Sequence, residues 1–518
     1  MAAALLTRLI GVFQRVPLYR MIRAEGIGLY TASYDYYAIA LGLASSGINV
    51  AIAKQVAERM ALGDAAGAKR VFRLSAAFYW GAPFLASRGF GNTDAYLSFV
   101  AVAPAIFLVS LMAPYRGWFQ GQQVMGPVGT SLVVEQLGRV VVMLVLAYTL
   151  LPRGLPWAAA GAAAGAFAGA VTGLIYLIYA YRQNQAGWDR RAARAGPSAE
   201  GPPGKPGRGQ RARLVSAGRI LRQTLRLAIP VSVASLMFQL FMLVDTNMVL
   251  HRLAAAGLAL DQATEAFGRL KGPATSVVNL PTVLTFAIAN SLVPVISEAM
   301  ILGRRDTVQK HSAAAVRMTL LLTIPALVGL YLLAAPIQLL IFADAEAGGV
   351  TQALSAAVIF VPLQMTSSAI LQGLGKVMAP VWNLAAGAAV KLVLTWVLTA
   401  DPHLGVGGAA YATAAGFFVA AGLNLSLAER LVGSLFNGVD MILKPCLAAT
   451  AMGLAVLAGY GWLYETTGSN GAATLGAISL GFLVYALGLL LLGGVQRDDV
   501  QYLPGGPVML RYLPFIRS

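Results

Sequence analysis

The sequence predicts an all-α polytopic membrane protein of about 14 transmembrane helices, arranged as two parallel six-helix repeats around a central cavity with two extra C-terminal helices. Three observations carry this expectation: an extremely apolar composition, apolar runs of spanning length, and an internal duplication. Of 518 residues, 58% are hydrophobic and 11% charged, and the mean hydropathy is +0.70. A soluble domain carries about 25% charged residues, so the bilayer, not water, must solvate this surface.

Runs long enough to span, by the criterion of roughly 17 to 25 residues, centre near residues 12, 42, 81, 107, 140, 170, 237, 286, 328, 362, 391, 418, 452 and 482. The first carries Arg8, Arg15 and Arg20. The third, over 74–87, is short and interrupted by Pro83. With the N-terminus placed in the cytoplasm, most of the 38 Lys and Arg fall on the cytoplasmic side, including the C-terminal tail. Positive-inside bias therefore explains the net charge of +17, which needs no nucleic-acid partner. The lone Cys446 excludes a disulfide framework, and His251, His311 and His403 lie too far apart for a metal site, so no metal is expected. No short apolar region ends in a small-residue cleavage site, so no removable leader is expected.

Two motifs recur in order. Ala57-Glu58-Arg59-Met60-Ala61-Leu62-Gly63 returns as Ser297-Glu298-Ala299-Met300-Ile301-Leu302-Gly303, and Phe119-Gln120-Gly121 with Met125 and Pro127 returns as Leu371-Gln372-Gly373 with Met378 and Pro380. Both pairs stand six expected helices apart, an even number, so the halves share one orientation about an axis along the membrane normal. A duplicated half in so apolar a chain is the mark of an alternating-access transporter. The expected organisation is an N-terminal six-helix lobe over 1–183, a basic Pro/Gly-rich cytoplasmic linker over 184–222 that cannot bury a core, and a second six-helix lobe over 223–435. Two added helices over 436–495 and a cytoplasmic tail over 496–518 complete it.

Ionised groups inside spans cost about 2.5 to 3.5 kcal/mol each on insertion scales, so each needs a reason. Seven residues turn a helix by roughly 700°, so Arg8 and Arg15 share a face that must look at protein or water. Asp35 is a counter-charge for that face or a proton-linked group. Glu135 and Arg139 stand four apart, the spacing of a structural ion pair. Asp245 is the lone acid of the seventh expected helix, and Lys391 lies on the eleventh. The glycines 161, 165, 169 and 173 mark a close-packing helix face.

The stretches Gly26-Ile27-Gly28-Leu29-Tyr30, 46–58 with Gly63-Asp64, and Arg116-Gly117-Trp118-Phe119-Gln120-Gly121 through Pro127 to Val140 resemble the stage V sporulation protein B and lipid II flippase branch (MurJ-like, YtgP-like). That branch belongs to the multidrug/oligosaccharidyl-lipid/polysaccharide (MOP) exporter superfamily. The resemblance covers essentially the whole chain, although relatives carry more apolar sequence before Arg8. It implies a flippase, not an enzyme, that carries undecaprenyl-pyrophosphate-linked glycans such as lipid II to the outer leaflet. Peptidoglycan biosynthesis, cell shape or sporulation would be served, by a monomer of the bacterial plasma membrane with both termini cytoplasmic.

The resemblance further implies a cationic cavity with binding arginines at Arg8 and Arg269, Arg15 one place from the expected position, and Lys54 as the nearest cation to an arginine of helix 2. Some relatives bind sodium near Asp245 with an Asn and an Asp; Asn383 fits the former, but Gly387 stands in place of the latter. Lys391, one turn on, is expected to do with a tethered ammonium what the cation does elsewhere. No cofactor is expected; without a Walker motif, energy would come from the membrane potential, H+ or Na+, and the partners would be the lipid-linked oligosaccharide and membrane lipids. Two competing readings are a multidrug/cation antiporter of the same superfamily, which needs acidic cavity walls, and a membrane glycan polymerase or ligase, which needs a large catalytic outer loop.

Overall fold

The structure is a computed structural model describing residues 2–42, 47–61, 67–73, 96–122, 124–194 and 217–494. The third expected span, the centre of the linker and the tail over 496–518 lie outside the described residues. The described chain is helical almost throughout, and two compact units emerge, one of Met1–Ile22 with Leu29–Leu243 and one of Arg23–Gly28 with Val244–Ser518. Among the described residues, eight helices are long and apolar enough to cross a membrane, or nine if Ala347–Leu354 and Ala357–Gly373, bent by 43°, form one span. The linker expected over 184–222 is helical at both ends, because the helices Leu155–Arg194 and Ala217–Ala255 extend into it.

In the first unit, the glycine stripe dictates packing. The helix Met125–Leu150 turns back through Leu151–Arg153 and Gly154, at φ 110°, into Leu155–Arg194. A Cβ on Gly165 would come 2.8 Å from the Arg139 carbonyl, and one on Gly169 2.7 Å from the Glu135 carbonyl. The two backbones therefore touch directly, as small residues permit within lipid. Nearby, Phe72 stacks on Tyr181 with centroids 4.8 Å apart and meets Tyr115 edge-on at 5.0 Å.

The repeated Gln-Gly motifs occupy matching settings within their own units. A Cβ on Gly121, at the end of the helix Tyr96–Gly121, would meet the Ala53 carbonyl and the Val56 side chain of Gly47–Ala61. One on Gly373, closing Ala357–Gly373, would meet the Val293 carbonyl and the Ile296 side chain of Leu280–Ile301. Val293 and Ile296 each stand 240 residues after Ala53 and Val56, the offset of the first repeated motif.

The helix Arg15–Leu41 breaks at Arg23, which takes φ 55° and ψ −172°, a conformation L side chains rarely adopt. The following residues Arg23–Gly28 group with the second unit. There they lie against the helix Leu260–Arg269 with no room for side chains: a Cβ on Gly268 would run into the Ala24 carbonyl, and one on Gly28 would come 2.6 Å from that of Thr264. A π-type turn over Leu270–Ala274 follows, widened by Pro273. The last two helices, Lys444–Thr467 and Asn470–Leu491, are tied to Arg305–Leu332: Arg317 donates to the Gly494 carbonyl at 2.7 Å, and the Tyr485 hydroxyl donates to Leu321 O at 2.9 Å.

Gly169→Val should force the two helices apart and lower the thermal unfolding midpoint, by an overpacking cost of about 1 to 3 kcal/mol. Gly422→Ala, where nothing lies within 4 Å, should leave it unchanged. Equal midpoints for the two variants would disprove the contact as drawn.

Candidate functional site

Two clusters of ionised groups sit inside the helical units. In the first unit, Glu135 on Met125–Leu150 is shared by two guanidiniums. Arg116 Nη2 lies 2.7 Å from its Oε2, and Arg139 Nη2 lies 3.2 Å from Oε1. Arg116 Nε also donates to Ser131 Oγ at 3.2 Å, and Arg139 Nη1 donates to the Tyr34 hydroxyl at 2.7 Å. All three ionised side chains are mostly buried. The four-residue pair read from sequence is thus part of a triad whose third member, Arg116, no helical periodicity links to it.

Beside this triad lies a cavity of about 220 Å³, lined by Thr7, Gly11, Gln14 and Arg15 from the chain's start, by Tyr30 and Tyr34, and by Gln136 and Arg139. Gln136 Nε2 donates to Gln14 Oε1 at 3.0 Å. The cavity's charged lining groups are Arg15 and Arg139; no carboxylate lines it among the described residues. The face-sharing argument therefore places Arg15 on a polar cavity. Arg8 falls in the helix Ala2–Phe13, but its side chain lies outside the described residues. Lys54 is exposed and Asp35 half-buried.

In the second unit, Asp245 is buried between two ammonium groups. Lys391 Nζ, fully buried, stands 2.9 Å from Oδ1, and Lys271 Nζ stands 3.4 Å from Oδ2. The Asp245–Lys391 pairing was expected from the resemblance and not from any spacing along the chain. Lys271 was not, because the π-type turn that delivers it has no periodic signature. Gly387 cannot be exchanged for an acid here: a Cβ would run into the Gly416 carbonyl, where Ala379–Leu398 crosses Val406–Val432 backbone to backbone. Asn383 joins another network, donating to Asn424 Oδ1 at 2.8 Å, while Asn424 donates to Ser368 Oγ at 3.0 Å.

Arg269, expected as a binding cation, is paired with carboxylates. Its guanidinium is held by Glu265 at 2.7 Å, Asp344 at 3.2 Å and Glu346 at 2.6 Å. The four-residue spacing to Glu265 was visible in sequence, whereas the two acids after Phe342 reach it only through the fold. Burial disfavours the charged guanidinium, but Asp344, Glu265 and Glu346 outweigh that and hold its pKa above the ordinary value. Close by, burial and then the charges of Asp261 and Glu265 push the Glu25 carboxyl up.

Charge clusters inside close-packed helices of spanning length, the first of them beside a cationic cavity, fit a multi-pass membrane transporter. Comparison with known proteins places it further. The signature of polysaccharide biosynthesis proteins matches residues 1–300, and the chain belongs to that family. The chain is similar to stage V sporulation protein B of Bacillus subtilis (strain 168), 26% identical over 97% of this chain and 96% of that protein. It is also similar to the lipid II flippase MurJ of the same organism, 25% identical over 87% of this chain and 85% of that one. A solved structure of the lipid II flippase MurJ in an inward closed conformation has the same fold, with a TM-score of 0.63, 15% identity, and coverage of 95% of this chain and 97% of that one.

Removing one partner of a buried pair leaves an uncompensated charge, at a cost of about 3 to 5 kcal/mol. Asp245→Ala strands two ammonium groups and should destabilise more than Lys391→Met, which leaves Lys271 facing Asp245; thermal unfolding of the purified variants measures the order. Glu25→Gln tests the outer acidic group. With its folded pKa above its unfolded one, the ionised Glu25 opposes folding at neutral pH, and that penalty vanishes as pH falls through the raised pKa toward about 4.5. The variant should therefore be more stable than wild type at pH 7 and equal to it near pH 4. A gap that widens on acidification would show the sign to be wrong.

Proposed function

We propose that the chain is a flippase that moves an undecaprenyl-pyrophosphate-linked glycan, with the peptidoglycan precursor lipid II as substrate, from the inner to the outer leaflet by alternating access. The observation that carries this reading is the first-unit cavity whose charged walls are guanidiniums, without a lining carboxylate among the described residues. Guanidinium forks match the paired oxygens of phosphoryl groups. The likeness to the B. subtilis lipid II flippase supports the choice of substrate. The same charge sign disfavours the multidrug/cation antiporter, whose cationic cargo such walls repel.

In this reading Arg15, Arg8 and Arg269 are the substrate-binding cations, Arg269 after release from its carboxylate partners, and Lys54 and Asp35 set the local field. Both termini face the cytoplasm, and the flippase acts as a monomer in the plasma membrane. Outward passage of an anionic headgroup is favoured by an inside-negative potential, by about 2.3 kcal/mol per charge per 100 mV. The Lys391 ammonium already neutralises Asp245, so transport needs no sodium.

Expression in cells depleted of their own lipid II flippase tests the reading. Wild type should restore growth; Arg15→Ala and Arg8→Ala should not, despite wild-type membrane levels. Failure of the wild type to restore growth removes lipid II as the substrate. In liposomes, replacing sodium by potassium should leave the flipping rate unchanged, and a strict sodium requirement would rule out the role given to Lys391.

A further inference from the structure

We infer that water enters the second unit at the end of the helix Ala379–Leu398, passes Thr399 and Thr395, and stops at the Asp245–Lys391 pair, so that the Lys391 ammonium exchanges protons with one membrane face only. The proton is then the ion whose binding and release the transport cycle uses. That last step rests on the flippase reading; the route itself does not.

Asn383, Gly387, Lys391, Thr395 and Thr399 follow one another at four-residue intervals, so they lie along one side of a single helix. From Gly387 onward that side is buried, and Lys391, Thr395 and Thr399 are fully so. The two ends of the stripe differ. On the Asn383 side the polar groups are knitted together: Asn383 donates to Asn424, and Asn424 and Gln364 both donate to Ser368 Oγ. Between that network and Lys391 stands Gly387, where the Gly416 carbonyl leaves no room even for a Cβ. On the Thr399 side, the hydroxyls of Thr395 and Thr399 have no hydrogen-bond partner. Other threonines of this unit, such as Thr319, Thr323 and Thr413, return their hydroxyls to the carbonyl four residues back. These two do not, and a buried hydroxyl left unanswered is costly.

Ordered water removes that cost wherever it can reach the group. Its source is close, because Pro402 and His403, just past Thr399, are exposed. Successive stripe residues rise about 6 Å along the axis, a gap that water bridges. The file ends at Asp245, whose Oδ1 lies 2.9 Å from Lys391 Nζ but accepts no aligned hydrogen bond. A proton leaving Nζ passes to the first water as hydronium and moves outward past the two hydroxyls, leaving a neutral amine. A proton returning along the same file restores the ammonium. Asp245 faces Lys391 directly, and Lys271 reaches the same carboxylate from the π-type turn, 3.4 Å from Oδ2, so Asp245 keeps a counter-charge while Lys391 is neutral. Arg252 stands at the mouth, donating to the Trp396 carbonyl at 2.9 Å. The crossing helix Val406–Val432 carries its charges, Glu429 and Arg430, roughly three and a half turns beyond Gly416.

The test uses the full-length chain carrying Cys446→Ser, in uniformly oriented liposomes. Silver ion, close to water in size, captures a thiol that water allows to ionise. Thr399→Cys and Thr395→Cys should be protected by silver against later alkylation in denaturant, read by mass spectrometry. Val393→Cys, on the exposed side of the helix, and Leu384→Cys, buried at its other end, should not. No capture at either threonine position in folded variants overturns the route, and so does equal capture at all four. In the same liposomes the flipping rate should follow the pH on the Thr399 side, the outer one in the orientation proposed above, and ignore the pH opposite. Thr395→Val combined with Thr399→Val should slow flipping about ten-fold, since the file loses both hydroxyls, and Lys391→Met should abolish the pH dependence. The valine pair leaves the Asp245–Lys391 contact intact, so it still decides the matter should Lys391→Met misfold. A rate indifferent to pH on both sides overturns the role of the proton. Silver capture needs no substrate: capture without restored growth in flippase-depleted cells keeps the route and removes lipid II. Restored growth without capture sinks the route and spares the transport function.

Discussion

The constraint on which this structure depends is the cost of an ionised side chain in a medium that cannot hydrate it. Helical backbones satisfy their own hydrogen bonds in a bilayer, so the polar problem left is the side chains, and among the described residues two clusters show how it is met. One carboxylate, Glu135, holds two guanidiniums; another, Asp245, lies between two ammonium groups. Each cluster carries more cation than anion. The surplus differs in kind, because an arginine stays charged under all cellular conditions whereas a lysine can give up its proton. The first unit is thus permanently cationic beside its cavity, while the second contains its charge within a buried knot.

Holding such clusters in register requires helices that cannot slide. Glycine supplies this by letting backbones touch. Gly165, Gly169 and Gly173 of the stripe lie against the turn that carries Glu135 and Arg139, and Gly387 seats the helix bearing Lys391 on its neighbour. The same device recurs at Gly121 and Gly373, where the Gln-Gly motifs meet helices at equivalent positions of the two units. Motif glycines that look like loop residues in sequence are packing surfaces in the fold.

Much of the candidate site was legible from residue identity. Glu135 and Arg139 advertised themselves by four-residue spacing, Arg15 by sharing a face with Arg8, and Asp245 and Lys391 by standing alone in apolar runs. What escaped were partners supplied from elsewhere: Arg116 for Glu135, Lys271 for Asp245, and Asp344 and Glu346 for Arg269. At Arg269, expected as a substrate-binding cation, the fold adds an enclosure by acids of the 344–346 turn. Asn383 likewise bonds to Asn424 and Ser368.

By itself, the sequence determined the solvent, the helical class, the duplicated order of motifs and which side chains must lie within the membrane. These follow from composition, run length and period, all properties read along one dimension. Only the tertiary structure decided which acid answers which base, and that Arg15 and Arg139 line one cavity with no lining carboxylate among the described residues. Electrostatic pairing falls off over a few ångströms in space and is indifferent to distance along the chain, so no local pattern could encode it.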